Sequence, residues 1–528
     1  MTDYCIGIDL GTTYSCLAYV DEDGDPVIEK NFEQEETTPS VILFDDNGQI
    51  LVGSQAKEMA LMYEPDRTVT AIKRKIGSSY EKEIDGKVYN PTQLSATILK
   101  KLLDDFNSNH CCEVKKAVIT VPAYFGQNER DQTKTAGRIA GLEEVTLINE
   151  PTAAAISYGY SGNREGKERV LVYDLGGGTF DVTVLEIEDG KFNAVATDGE
   201  RFLGGKDWDA AMSEIIKEKV SEESGTDIDF LESDPEVVKS LEYDSEVIKK
   251  RLSTSGVTKG TLTVDGHKYV YSVNRNEFED MSEDKLLQTL DVMDRVLKSK
   301  SMTIDDIDVV ILVGGSSRMP QVKEAIMKKY PTANVKAHDA DLAVAKGAAL
   351  FAKSMADSPA AITEGEVAAA AEVVQEEEER RIIVKNVLSK TFGLKATYED
   401  GTEMISNIIF RNETLPIEKT KRYYPVEQEQ NSIRIEIFED AAMNDEEGTK
   451  TDMSLGVAIG EFTMDLPENV DKETPIDVTF VATEEGILTA SVTCMDQHKE
   501  YTLENDLKMT LEEIEKSQSI MERVVTGC

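Results

Sequence analysis

The stretch YDLGGGTFD at Tyr173–Asp181 ends an apolar run in an aspartate, adds three glycines and a threonine, and closes on a second aspartate. Glycine tolerates positive φ and puts no Cβ between backbone and ligand, so such a turn exposes successive N–H groups that can grip a phosphate. GIDLGTTYS at Gly7–Ser15 repeats the pattern of apolar strand, Asp-Leu-Gly and small hydroxyl residues. Two copies imply one site built from two halves, with a triphosphate between the turns and Asp9 and Asp174 aimed at the same oxygens. That convergence is repulsive unless a hard divalent cation sits there, and Mg2+, mostly water-ligated, fits. Further glycine turns follow at Arg201–Asp209 (RFLGGKDWD) and Ile311–Pro320 (ILVGGSSRMP). No G-x-x-x-x-G-K-[ST] loop occurs, which excludes a P-loop enzyme.

Strands and helices must hold these turns. Up to about residue 357, β-rich runs such as KKAVITVPAYF and DVVILVGGSS alternate with helical stretches, which predicts α/β architecture. PTQLSATILKKLLDDFN carries Leu94, Ile98, Leu102, Leu103 and Phe106 at helical spacing behind a Thr92 cap, and NEPTAAAISYGY starts a helix with Pro151 in its first turn. At 528 residues the chain exceeds the roughly 250–300 residues of a single core, so two or more domains are expected. From Ser354 to Arg381 the composition shifts to Ala, Glu and Val, which reads as a solvated helix or tether and a domain boundary. Beyond it, the short runs TFGLKATY, MISNIIF, SIRIEIF, PIDVTFVA and GILTASVTCM predict a small antiparallel β-domain, and Thr510 to Val525 looks helical again.

The net charge of -44 repels polyphosphate backbones and argues against nucleic acid or an anionic membrane as partner. The N-terminal MTDYCIGIDLG lacks the pattern of a signal peptide and no apolar run reaches the roughly 20 residues of a membrane span, so a cytoplasmic location is expected. Six cysteines without C-x-x-C spacing read as reduced thiols.

Taken in order, GIDLGTTYSCLA, AIKRKIG, AVITVPAYF, INEPTAAAISYGY, YDLGGGTFDVTVLE, LGGKDWD, VILVGGSSRMP and DLAVAKGAAL resemble the 70-kDa heat-shock chaperones, of the superfamily that also holds actin and hexokinase. The resemblance covers residues 4 to 353 and continues to about 510. It implies an actin-like (ribonuclease H-like), two-lobed α/β ATPase domain over 1–357, a tether and hydrophobic linker over 358–386, a β-sandwich peptide-binding domain over 387–510 and a short helical remnant over 511–528. The implied activity is Mg-ATP hydrolysis controlling the binding of unfolded or extended apolar polypeptide. ATP or ADP, Mg2+ and K+ are the implied cofactors. A J-domain co-chaperone and a nucleotide exchange factor are the implied partners, and the chain is expected to be a monomer.

Position by position, the resemblance implies that Gly11, Thr12, Thr13 and Tyr14 form the first phosphate turn and Gly176, Gly177, Gly178 and Thr179 the second, with Gly204 and Gly205 in the same cleft. Asp9 and Asp174 would hold hydrated Mg2+, Lys73 would neutralise charge near the γ-phosphate, and Glu150, Asp174 and Thr179 would orient the attacking water or the phosphate. Without the resemblance, Lys73 in its run with Arg74 and Lys75 reads as a solvated surface group, and Glu150 as a carboxylate complementing a helix dipole. Glu246, Lys249 and Ser253, otherwise a surface ion-pair stripe, resemble the adenosine contacts, together with Gly314, Gly315, Ser316, Arg318 and Asp341. Pro122 and Arg130 match the nucleotide-sensing switch. Phe392, Ile408, Ile433 and Ile435 would line or back the peptide pocket under an arch of Thr397 and Val426.

Three departures stand out. The linker keeps its apolar centre, Ile382, Ile383 and Val384, but Arg380, Arg381 and Lys385 stand where the family has aspartates, which questions docking by charge. The chain stops near the start of the family's helical lid, implying a form without most of it and faster peptide release. The loop TYEDGTEM is longer than usual. A rival class is an exchange-factor-like relative with little turnover, against which Lys73, Glu150, Asp174 and Thr179 argue. A small-molecule kinase or filament protein would leave the separate β-domain unexplained.

Overall fold

Both Asp-Leu-Gly turns grow from the same local design. Strand Ile6–Asp9 runs parallel to Lys116–Val121 on one side and antiparallel to Tyr14–Val20 on the other. Strand Glu168–Leu175 likewise runs parallel to Val309–Val313 and antiparallel to Phe180–Glu188, with Asp174 opposite Asp181. Each aspartate therefore closes a strand paired on both sides, which fixes its carboxylate before the glycines let the chain turn. Glu144–Asn149 and Pro26–Glu29 extend the first sheet, and Val335–Ala337, Lys191–Glu200 and Ile383–Lys385 the second. The computed structural model describes residues 4–525 apart from 64, 162–165, 358–381, 429, 441–447, 469, 485 and 503–508.

Between the sheets, helix Glu150–Tyr160 packs on helix Ala343–Ala356. Ala153, Ala154 and Ala155 on one and Ala345, Ala348 and Ala349 on the other are buried, and a methyl built on Gly347 would lie 1.7 Å from the Ala153 carbonyl oxygen. Small residues thus bring two backbones close, and the shared core takes Ala18 and Val118 from the first sheet and Val172 and Ile311 from the second. This is the two-lobed, actin-like α/β domain, with the aspartates facing the cleft.

Helix Pro91–His110 buries Leu94, Ile98, Leu102, Leu103 and Phe106, but its cap is Asn90 and not Thr92. The Asn90 side chain accepts from Gln93 N–H at 2.9 Å while the Asn90 N–H donates to the Gln93 side chain at 3.0 Å, and Pro91 takes the first helical position, where no donor is needed.

An all-antiparallel β-sandwich follows. One sheet runs Lys450–Asp452, Glu403–Ile409, Thr391–Thr397, Ser432–Asp440, Gly456–Asp465 and the other Ile417–Tyr423, Ile476–Ala482, Leu488–Cys494, Gln497–Thr502, around a core containing Ile437, Phe480 and Val492. From 358 to 381 the expected tether, with Arg380 and Arg381, lies outside the described residues. The reversed charge at Lys385 does not prevent docking, because the attachment is made by backbone and apolar side chains. Ile383–Lys385 pairs in parallel with Lys191–Asn193, Ile383 N–H donates to the Gly190 carbonyl at 3.0 Å, and Ile382 and Val384 pack on the interlobe core.

Helix Leu511–Met521 and the residues just after it bind the first lobe, burying Ile514, Met521 and Val524 against its core. Ile50 N–H donates to the Arg523 carbonyl at 2.8 Å and Val525 N–H to the Ile50 carbonyl at 2.9 Å, while Gln93 donates to Ser517 Oγ at 2.9 Å. Among the described residues no helix is long and apolar enough to cross a membrane. Because Met521 fills that core, Met521→Ala is expected to destabilise the first lobe by about 2–5 kcal/mol, read as an earlier denaturant midpoint. An unchanged midpoint would mean that the helix does not pack there in solution.

Candidate functional site

The cleft holds more negative charge than it can carry in water-free surroundings. Asp174 and Asp181 are buried there and Asp9 is half-buried, with Glu150 at the start of its helix and Lys73 on the 3-10 turn Ile72–Lys75. Burial pushes Asp9 up to about 7, with Glu150 adding to the rise and Lys73 and the Thr120 hydroxyl, which donates at 3.1 Å, opposing it. Burial and then Glu150 also raise Asp174 and Asp181 well above the usual carboxylate range. Burial alone would lower Lys73, yet Glu150, with which its ammonium hydrogen-bonds, and then Asp9 hold it above its ordinary value. Four carboxylates around one ammonium suit a divalent cation. Among the described residues no three acidic, His or Cys side chains converge tightly enough to ligate an ion directly. A strongly hydrated ion such as Mg2+, reached through its own water, fits this spacing.

Over these charges the glycine turns interlock. A methyl built on Gly177 would lie 2.0 Å from Thr13 Oγ1, and one on Gly178 would lie 2.4 Å from Thr12 Cγ2, so the first and second turns face each other across the cleft. Thr13 Oγ1 is buried without a hydrogen-bond partner, a polar atom aimed where a phosphate oxygen fits. Gly205 N–H donates to the Gly176 carbonyl at 2.9 Å, which docks the turn containing Gly204 and Gly205 behind the second one. Gly314, at φ 79°, closes the cleft beside Asp174, in a conformation that a larger residue resists. Thr179 is buried at the end of the second turn.

Glu246 and Lys249 are both buried, which rules out a solvated stripe. Tyr14 Oη donates to Glu246 at 2.9 Å, and Lys57 and Lys250 pair with it at 2.6 and 2.7 Å. Burial would raise Glu246, but Lys250 and Lys57 hold it far below the usual carboxylate range. Lys249 donates to the Gly205 carbonyl at 2.8 Å and meets Asp209 at 2.7 Å, and burial lowers its pKa. The structure therefore brings Glu246 to the first turn and Lys249 to the turn containing Gly204 and Gly205. Ser253 sits one residue past their helix. Arg318 and Asp341 pair at 2.5 Å, and Gly315 opens the 3-10 turn that carries the buried Ser316 and Arg318.

Pro122 and Arg130, expected to sense nucleotide, lie on a chain of hydrogen bonds that reaches the linker. Pro122 ends its strand region, and its carbonyl accepts from Phe125 N–H at 3.2 Å. Arg130 donates to the Phe125 carbonyl at 3.0 Å and to Asn149 Oδ1 at 2.7 Å, while Asn149 Nδ2 donates to Asn386 of the linker at 3.3 Å. Asn149 precedes the helix that begins with Glu150, without a side-chain capping bond, so the linker touches the residue next to the Lys73 partner. A further seam joins β-sandwich and second lobe, where Thr197 N–H donates to Asn412 Oδ1 at 2.8 Å and Lys300 to the Asn412 carbonyl at 2.8 Å. Sequence reasoning gave no role to Asn149, Asn386, Asn412 or Asp181, although Asn149 and Asp181 stand inside quoted motifs.

In the sandwich, Phe392, Ile408, Ile433 and Ile435 belong to one buried core, whereas Val426 is 57% exposed and Thr397 stands exposed at a strand end. The structure thus gathers four of the six expected pocket residues and leaves the two arch residues on the surface.

The family described as Hsp70 protein matches residues 5–526. A similar relative, the chaperone protein DnaK of Thermosipho melanesiensis, is 35% identical over 531 residues, covering 97% of this chain and 83% of that protein.

Since the two turns leave no room for a side chain at Gly178, Gly178→Ala is expected to force them apart and weaken adenine-nucleotide binding about tenfold or more, measured by titration calorimetry with Mg-ADP. Wild-type affinity would mean that the turns do not close on a phosphate.

Proposed function

The chain belongs to the Hsp70 family, and we propose that it binds and hydrolyses Mg-ATP between its two lobes and uses the nucleotide state to control how its β-sandwich holds extended apolar polypeptide. The observation that carries this reading is the buried Lys73–Glu150 pair, set among Asp9, Asp174 and Asp181 beneath two interlocked glycine turns.

Phosphoryl transfer to water asks for alignment and charge stabilisation more than for covalent chemistry. Lys73 supplies a fixed positive charge beside the transferred group, and Glu150, held in place by that ammonium, orients the attacking water. Thr179 and Thr13 offer hydroxyls to the phosphates, and the glycine N–H groups hold them in register. Bound Mg2+, held through water by Asp9 and Asp174, would offset charge on the phosphates, and K+ is the proposed accompanying monovalent cation. The Asn386–Asn149 hydrogen bond beside Glu150 and the docked strand Ile383–Lys385 support coupling of this site to the sandwich. Unfolded polypeptide, a J-domain co-chaperone and an exchange factor are the proposed partners, and the cytoplasm the proposed location. The peptide groove is assigned to the sandwich around Phe392, Ile408, Ile433 and Ile435.

Lys73→Ala and Glu150→Ala are each expected to lower steady-state ATP hydrolysis by about two orders of magnitude or more while Mg-ATP binding stays measurable. Unchanged turnover in both would remove these residues from the reaction.

A further inference from the structure

Three consecutive basic residues meet three different fates: Lys73 is buried in the cleft, Lys75 is exposed, and Arg74 reaches across to the other lobe. Arg74 Nε donates to the Gly178 carbonyl at 2.8 Å, and its Nη2 donates to Asp207 Oδ2 at 2.7 Å. The same Asp207 oxygen accepts from Gly204 N–H at 2.8 Å, at the start of helix Gly205–Ser224.

These contacts complete a pattern in the second phosphate turn. Its three glycine carbonyls each accept one hydrogen bond, Gly176 from Gly205 N–H at 2.9 Å, Gly177 from Lys206 N–H at 2.8 Å and Gly178 from Arg74. In a trans peptide the carbonyl and the following N–H point opposite ways. Pinning the carbonyls therefore turns the N–H groups of Gly177, Gly178 and Thr179 to the other face. The first two pins come from the turn's own lobe, whereas the third comes from the lobe that carries Lys73.

We propose that Arg74 is a cross-lobe positioning residue: it orients the Gly178–Thr179 peptide for the phosphate and makes that grip depend on lobe closure. Removing it leaves two of three peptide planes fixed and frees the one nearest Thr179. This inference rests on the ATPase reading above. It assigns Arg74 no contact with the nucleotide.

The test compares Arg74→Ala, Arg74→Lys and Asp207→Asn with wild type in the full chain, by fluorescent Mg-ADP binding and single-turnover hydrolysis of bound ATP. Arg74→Ala is expected to weaken Mg-ADP binding about tenfold or more and to slow the single turnover, since a charge-assisted hydrogen bond is lost. Arg74→Lys should recover part of the loss, because an ammonium reaches one of the two acceptors. A residue with only a structural role would lower the unfolding midpoint and leave both readouts of the folded fraction unchanged, and that result overturns the proposal. If Arg74→Ala does not fold, Asp207→Asn decides: a smaller loss of the same sign supports the proposal, and wild-type binding and turnover overturn it. Lys73→Ala run alongside separates the two readings. Full turnover in Lys73→Ala sinks the ATPase reading, whereas a dead Lys73→Ala beside a fully active Arg74→Ala sinks this inference alone.

Discussion

The Lys73–Glu150 ion pair, made within the first lobe, is the charged centre that the cleft between the two lobes has to accommodate. Each partner is buried, and taking two charges out of water costs several kcal/mol per ion unless geometry and further contacts compensate. Here the surrounding carboxylates raise that cost, because Asp9, Asp174 and Asp181 share the cleft with a single ammonium. Such a site does not stabilise a fold by itself. It is held by two sheets that end their central strands in aspartates and by an alanine-lined crossing of two helices that fixes the distance between the lobes.

From that constraint the longer-range connections follow. Glu150 begins a helix directly after Asn149, Asn149 is shared between Arg130 and the linker residue Asn386, and the linker is itself a strand of the second sheet. The β-sandwich therefore meets the two-lobed domain through amides and backbone pairing, joined by Lys300 at the Asn412 carbonyl and an Arg411–Asp198 ion pair at 3.6 Å. Charge reversal at Lys385 leaves this attachment in place, because neither parallel strand pairing nor the packing of Ile382 and Val384 depends on a side-chain charge.

Much of the site was legible in the sequence because glycine turns after apolar strands are local signals. Asp9, Asp174, Gly177 and Gly178 announce themselves by type and order, and the structure interlocks their turns. What was not legible depends on tertiary placement. The Lys73–Glu150 contact joins residues 77 positions apart. Arg74 looks like its solvated neighbour Lys75 until the second lobe is in place. The Asn90 cap was misread as Thr92, since Asn, Pro and Thr occur in succession and each suits a helix start. In the sandwich, runs rich in Ile and Val were readable as strands, but Ile417–Tyr423 was not, because it is an edge strand whose Glu418, Lys419, Lys421 and Arg422 leave no apolar run.

The measurement that tests the central claim most directly is steady-state ATP hydrolysis by the full chain with Mg2+ and K+, with and without excess of an extended leucine-rich peptide. Hydrolysis that the peptide stimulates is the predicted result, since the linker strand and the Asn386–Asn149 contact join the sandwich to Glu150. Hydrolysis indifferent to peptide would contradict the coupling, and absence of hydrolysis would contradict the site itself.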